Sequence, residues 1–200
     1  MNKRGFIAII AILLIGATLG GFVMAEDKKP SMDDMMAAYA KYMNPGPQHK
    51  LLDPMVGSWD CASRMWMDPD SLPFESKAVS EKQWVLGGRF IQEDASGDMM
   101  GTSFHGFGFT GYDLINQEYI RVWFDEMSTS IMFSKGQVDP TGKIFTYYSE
   151  YKDPMDNMKE KTSKSVVTIV DNNKHMFEAY EKGPDGKDRK SFDITYTRKK

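Results

Sequence analysis

Over much of the chain, apolar and polar positions alternate. Ile120, Val122 and Phe124 fall between Tyr119, Arg121, Trp123 and Asp125. Phe145, Tyr147, Ser149 and Tyr151 interleave with Ile144, Thr146, Tyr148 and Glu150, and Phe192, Ile194 and Tyr196 with Ser191, Asp193, Thr195 and Thr197. A period of two in segments rich in β-branched and aromatic residues predicts strands, because successive side chains of a strand point to opposite faces. Turn chemistry separates the runs at Ser96-Gly97-Asp98, Asp139-Pro140-Thr141-Gly142, Asp171-Asn172-Asn173 and Gly183-Pro184-Asp185-Gly186. About nine or ten strands in succession, with no long helical pattern between them, predict an up-and-down antiparallel sheet. A sheet of that length loses its edges by closing on itself. The expected fold is mainly β: a single antiparallel up-and-down β-barrel, hollow or partly filled, with a two-sheet sandwich as the alternative.

Ahead of the strands the period changes. Met32, Met35, Met36, Tyr39 and Met43 share one face at helical spacing, Ser31 and Asp34 are placed for a capping box, and Asn44-Pro45-Gly46-Pro47 ends the pattern. Residues 26–48 are therefore expected to form a short N-terminal amphipathic helix with a Pro/Gly linker, and residues 49–200 the β domain. His49 to Val56 suggests one further helical turn. Residues 1–25 have the grammar of a signal peptide: Lys3 and Arg4, an apolar run from Phe6 to Ile15, then Val23-Met24-Ala25 before the polar Glu26-Asp27-Lys28-Lys29. From Phe6 to Met24 the stretch also approaches the roughly 20 residues of a spanning helix, so an uncleaved anchor is the alternative. The expected location is exported, periplasmic or secreted. The only expected membrane contact is through an uncleaved signal segment.

Composition works mainly by exclusion. The 200 residues carry a net charge of −3; without Lys3 and Arg4, 23 basic residues face 28 acidic ones, a net −5. Such a domain has no broad attraction for nucleic acid. Cys61 is the only cysteine, so no intramolecular disulfide forms and stability rests on the core. Its place in a strand suggests a buried, inert thiol.

Several motifs in order carry a family likeness. His49, Leu51-Leu52 and Val56-Gly57-Ser58-Trp59 resemble the opening of the bacterial DUF1579 family. Leu86-Gly87-Gly88-Arg89-Phe90-Ile91, Gly106-Phe107-Gly108-Phe109-Thr110-Gly111-Tyr112-Asp113, Trp123-Phe124-Asp125 and Thr195-Tyr196-Thr197-Arg198 continue the match. That family has no known function, so the resemblance implies a domain and not an activity. Gly57-Ser58-Trp59 with the late Arg198 is also similar to lipocalin-type (calycin) barrels, which implies that Trp59 packs under Arg198 and closes one end. Guanidinium over indole gives that contact its physical sense. Nitrobindin-like haem-binding barrels are similar in outline but use a histidine near the chain end. None follows His175 here, which argues against haem.

Candidate chemistry is sparse. His49, His105 and His175 form no metal-binding doublet; a zinc site, if present, would draw on His49, His105 and a carboxylate such as Glu93. The 16 methionines, 14 without Met1 and Met24, cluster at 32, 35 and 36, 65 and 67, 99 and 100, and 155 and 158. Thioethers bind Cu(I), but methionine is also a flexible core and pocket filler, and packing is the favoured reading over copper. No cofactor is therefore expected. The glycine-rich run from Gly101 to Gly111 lacks the lysine and helix of a phosphate loop and suggests instead a curved strand with a closely packed face. Trp123, Arg121, Tyr148, His105 and Glu178 are the ligand-binding candidates if their faces turn inward; which face does so is left open. The expected partner is a small apolar or amphipathic molecule in the barrel. The alternatives are an enzyme using His105, Glu93 and Arg121 as acid–base or anion-holding groups, and an envelope interaction protein.

Overall fold

Ten strands form one closed antiparallel barrel in the computed structural model, which describes residues 29–68, 71–99 and 101–200. They are β1 (Gly57–Met65), β2 (Phe74–Val85), β3 (Phe90–Met99), β4 (Thr102–Asp113), β5 (Glu118–Asp125), β6 (Met132–Val138), β7 (Ile144–Asp153), β8 (Lys159–Asp171), β9 (Lys174–Lys182) and β10 (Asp188–Arg198). Each strand pairs with its neighbours in sequence, and β1 pairs with β10 to complete the ring. Closure, and not a sandwich, is how this sheet removes its edges. The signal-peptide reading of residues 1–25 lies outside the described residues.

The described residues fall into two units, one ending at Ala38 and the other running from Tyr39 to Lys200. A helix, α1 (Met32–Ala40), starts on the expected capping box: the Asp34 amide donates to the Ser31 hydroxyl at 3.1 Å, and the Ser31 amide donates to the Asp34 carboxylate at 3.0 Å. The Ser31 hydroxyl, which donates to the same carboxylate at 2.6 Å, and then the Ser31 amide hold the Asp34 carboxyl below its ordinary value. In the second unit a short helix, α2 (Pro47–Lys50), and a single 3-10 turn (Asp53–Met55) precede β1.

Alternation resolves the two faces. Tyr119 is 1% exposed while Phe124 on the opposite phase is 36% exposed, so Tyr119, Arg121 and Trp123 point into the barrel. Phe145, Tyr147 and Ser149 likewise face inward, with Ile144 and Tyr148 outside. The turn expected at Ser96-Gly97-Asp98 is instead the last part of β3, still paired with β4. Gly97 lies opposite Ala78, and a Cβ there would stand 2.6 Å from the Ala78 Cα. Close strand approach, not a turn, explains this glycine.

One end of the barrel is sealed by the chain just before β1. Trp59, fully buried, donates its indole N–H to the Met55 carbonyl at 2.9 Å. The Arg198 guanidinium lies 4.2 Å from the Trp59 ring and donates to the carbonyls of Pro54, Val56 and Asn172 at 2.9, 2.7 and 2.6 Å. Gly57 makes the passage possible: its φ is +130°, and a Cβ would meet the Arg198 guanidinium at 2.1 Å. Leu52, Met55, Tyr119, Phe145 and Ile169 form the apolar core beneath this lid.

Candidate functional site

Below that core the inward positions turn polar. Lys82 of β2 and Glu93 of β3 stand opposite each other in register, with the Lys82 ammonium 3.3 Å from the Glu93 carboxylate. Both are buried. Glu93 also accepts from the Ser80 hydroxyl at 2.9 Å and the Tyr196 hydroxyl at 3.2 Å. Burial alone raises the Glu93 carboxyl, but the Lys82 and Arg121 charges and the Ser80 bond outweigh it and leave it below its ordinary value. Lys82 is pulled down by burial, against the opposing attraction of Glu93. The pair is an ionised one whose ammonium is weakened by loss of water.

His175 of β9 completes the cluster. The Lys82 Nζ lies 3.1 Å from His175 Nε2 and 3.8 Å from the Tyr196 ring, which stacks on the imidazole at 4.2 Å. Because the ammonium donates, Nε2 must accept, and the imidazole proton is assigned to Nδ1. Burial, then the charges of Lys82, Arg198 and Arg121, push the His175 pKa down to about 2. The ring is neutral at physiological pH.

Arg121 of β5 enters the same layer opposite Thr110 and Ser134, its guanidinium 4.4 Å from the Phe177 ring. Together with Met55, Tyr147 and Val167, these residues enclose a cavity of about 20 Å³. That holds roughly one water molecule. A pocket for an organic ligand is typically about 300 Å³ or more, so this layer does not accommodate the expected apolar or amphipathic molecule.

Further along, toward the connections that follow β1, β3, β5, β7 and β9, the inward residues become apolar again. Met65, Phe74, Phe104, Trp123, Met132 and Phe192 take inward positions from six different strands. The Trp123 indole lies against β4 where Gly106 and Gly108 leave room: a Cβ at Gly106 would stand 2.5 Å from its Cζ2, and one at Gly108 2.9 Å from its Cε3. Its N–H donates to Asp125 at 2.8 Å, and Phe104 stacks alongside it. This rim is not sealed, since Phe74 and Met132 are 49% and 46% exposed.

The candidates chosen from sequence therefore separate. Arg121, Trp123 and Glu93 share the lumen. His105 is on the outer wall, its Nε2 2.9 Å from Asp94, and does not converge with Glu93 and Arg121. Tyr148 is outside as well, over half exposed. Glu178 is also outside, paired with Lys190 beside the buried Asp193, which Arg64 grips at 2.7 Å. Alternation is the physical reason: these residues occupy the opposite phase of their strands. His49 is buried in α2, its Nδ1 accepting from the Gly46 amide at 3.1 Å and its ring 6.1 Å from Tyr112. Tyr112 and His105 are separated along β4 by roughly 23 Å at ~3.3 Å per residue, so His49 and His105 cannot share a metal. Among the described residues no three His, Cys, Asp or Glu side chains are placed to hold a metal ion. Cys61 is buried, and burial pushes its thiol up to about 12. A groove of about 670 Å³ on the outer wall, lined by Asp60, Ala62, Lys77, Val79, Ser96, Thr195 and Thr197 among others, contains none of the polar cluster.

The sequence pattern alone does not mark Lys82, His175, Tyr147 and Tyr196 as site residues. The signal for Lys82 was available only through phase: Ser80, Lys82 and Trp84 share one face of β2, but Glu81 and Gln83 on the other face are equally polar.

A family model described as a protein of unknown function, DUF1579, matches residues 44–198. No curated protein matches the chain. Among solved structures, the crystal structure of Rv2717c from M. tuberculosis is similar, with 14% identity, a TM-score of 0.53, and coverage of 78% of this chain and 100% of that one. At that identity the likeness concerns the fold alone.

Proposed function

We propose, from the premise that this chain belongs to the DUF1579 family, that it is an exported binding protein whose ligand enters the barrel at the apolar rim. One observation carries the reading. The lumen is sealed by Trp59 and Arg198 at one end, whereas at the other its inward-facing apolar side chains stay in contact with solvent, Phe74 at 49% and Met132 at 46%. Exposed apolar surface drawn together by six strands favours a small apolar or amphipathic partner. Methionines at 65 and 132 lend such a rim the adaptability of unbranched thioether side chains. The apolar part of the ligand would lie over Trp123 and Phe104, outside the closed polar layer.

Trp123 supplies the test. Titration with a solvatochromic apolar dye should produce saturable dye emission and a change in tryptophan emission, and Met132→Asp should weaken binding at least tenfold. Unsaturable dye uptake, or equal affinity in the variant, would remove the rim as the site. Export is checked separately by sequencing the N-terminus of the protein recovered from the extracytoplasmic fraction: recovery only from the cytoplasm would exclude it.

A further inference from the structure

The polar layer behind the rim has a charge surplus that none of its own groups cancels. Lys82 and Glu93 neutralise one another at 3.3 Å. His175 is neutral. That leaves the guanidinium of Arg121, which does not lose its charge. Among the described residues it has no ion-pair or hydrogen-bond partner; its guanidinium lies over the face of Phe177, and it shares the field of the one nearby carboxylate, Glu93, with Lys82. A partly buried cation whose only nearby carboxylate is already paired with Lys82 lacks a counter-charge of its own, and Phe177 offsets only part of that cost.

The uncharged groups around the cavity lean the same way. Tyr147 is 1% exposed, lines the cavity, and its hydroxyl has no hydrogen-bond partner. His175, also 1% exposed and also lining it, has an unpartnered Nδ1, and the Lys82 bond to Nε2 makes that Nδ1 a donor. Thr110 lies opposite Arg121 across the β4–β5 ladder and adds a further hydroxyl to the lining. Glu93 is the one anion present, and three donors already occupy its Oε1: Ser80, Tyr196 and Lys82. Surplus positive charge and unsatisfied donors around a space of about 20 Å³ specify both sign and size.

We propose that the barrel interior binds a single monoanion of halide size, with the Arg121 guanidinium as its counter-charge and the Tyr147 hydroxyl as a donor. Anions of several heavy atoms with bulk, such as sulfate or gluconate, exceed the space. The site is distinct in place from the rim, because Arg121 lies one inward position deeper than Trp123 on β5. Entry is from the rim side: Arg121 is only partly buried, whereas Tyr119, the next inward residue toward the sealed end, is 1% exposed.

The test uses the full chain exchanged into gluconate buffer and titrated with chloride or bromide at constant ionic strength. The expected result is a saturable rise in the thermal unfolding midpoint, by mass action on the folded state. Tyr147→Phe, which keeps the packing, should weaken the apparent affinity at least fivefold, and Arg121→Gln should abolish the response. A crystal grown in bromide should show one anomalous peak within the cavity. A linear, unsaturated response to halide would overturn the proposal, as would an unchanged affinity in Tyr147→Phe. Should Arg121→Gln fail to fold, the bromide crystal of the unaltered protein decides, and absence of an internal peak rejects the site.

Discussion

At the scale of single residues, His175 shows how burial converts into pH dependence. In the unfolded chain its imidazole titrates near 6.5. In the barrel it is held down to about 2, first by burial and then by neighbouring cations. A base with a depressed folded value takes no proton in the window where the unfolded chain does, so unfolding gains protons as the pH falls. Its contribution is fully present above about pH 6.5 and is lost below it, at up to about 1.4 kcal/mol per pH unit. Urea unfolding between pH 7 and 4.5 should show this decline, and His175→Gln should flatten it, the amide oxygen taking over as acceptor for Lys82. Parallel pH profiles in the two proteins would assign the decline to other groups. None of this was legible in the sequence, where His175 is one of three scattered histidines. Its state depends on Lys82, a residue far away in the chain that the register of β2 against β1, and of β10 against β9, brings beside it.

At the scale of elements, β4 and β5 are built as a pair. The Gly-Phe alternation in β4 did signal one closely packed face, and the inward phase of Gly106 and Gly108 gives that face to the Trp123 ring. What the sequence left open was the phase of β5, because Ile120, Val122 and Phe124 are as apolar as Tyr119, Arg121 and Trp123 are large. Hydrophobicity cannot decide between a wall with aromatic residues outside and one with an arginine inside. The glycines decide it, since only the Trp123 phase lies opposite them. Gly106→Ala would place a methyl 2.5 Å from the indole and force the ring off the wall. A loss of roughly 1–3 kcal/mol is expected, as for other overpacked interiors. Equilibrium unfolding and a shift in tryptophan emission would measure it; an unaltered midpoint and spectrum would mean that the ring does not rest there.

For the molecule as a whole, closure was the most legible property and the site the least. Hairpin chemistry and period-two runs were enough for a ring of strands, and Trp59 with Arg198 marked where the ring meets. The contact is more than a stacked pair, for Arg198 also binds three carbonyls of Pro54, Val56 and Asn172. Arg198→Met keeps the apolar stem but leaves those carbonyls without their donor. The expected cost is roughly 2–4 kcal/mol, from charged hydrogen bonds and the cation–π contact. Urea denaturation gives the value, and a loss under about 1 kcal/mol would mean that the arginine does not hold the lid.

The β1–β10 pairing also sets the order of events when the barrel forms. Every other ladder joins neighbouring strands, so nine of the ten can assemble hairpin by hairpin from local contacts. The tenth joins β1 to β10 and must wait until every strand between them has been made. Until then β1 and the latest strand added each present an unpaired row of amides and carbonyls, a template for other chains. The residues of β10 are thus the ones that end its exposure to aggregation: a nascent chain halted before Asp188 has most of its sheet and neither edge protected.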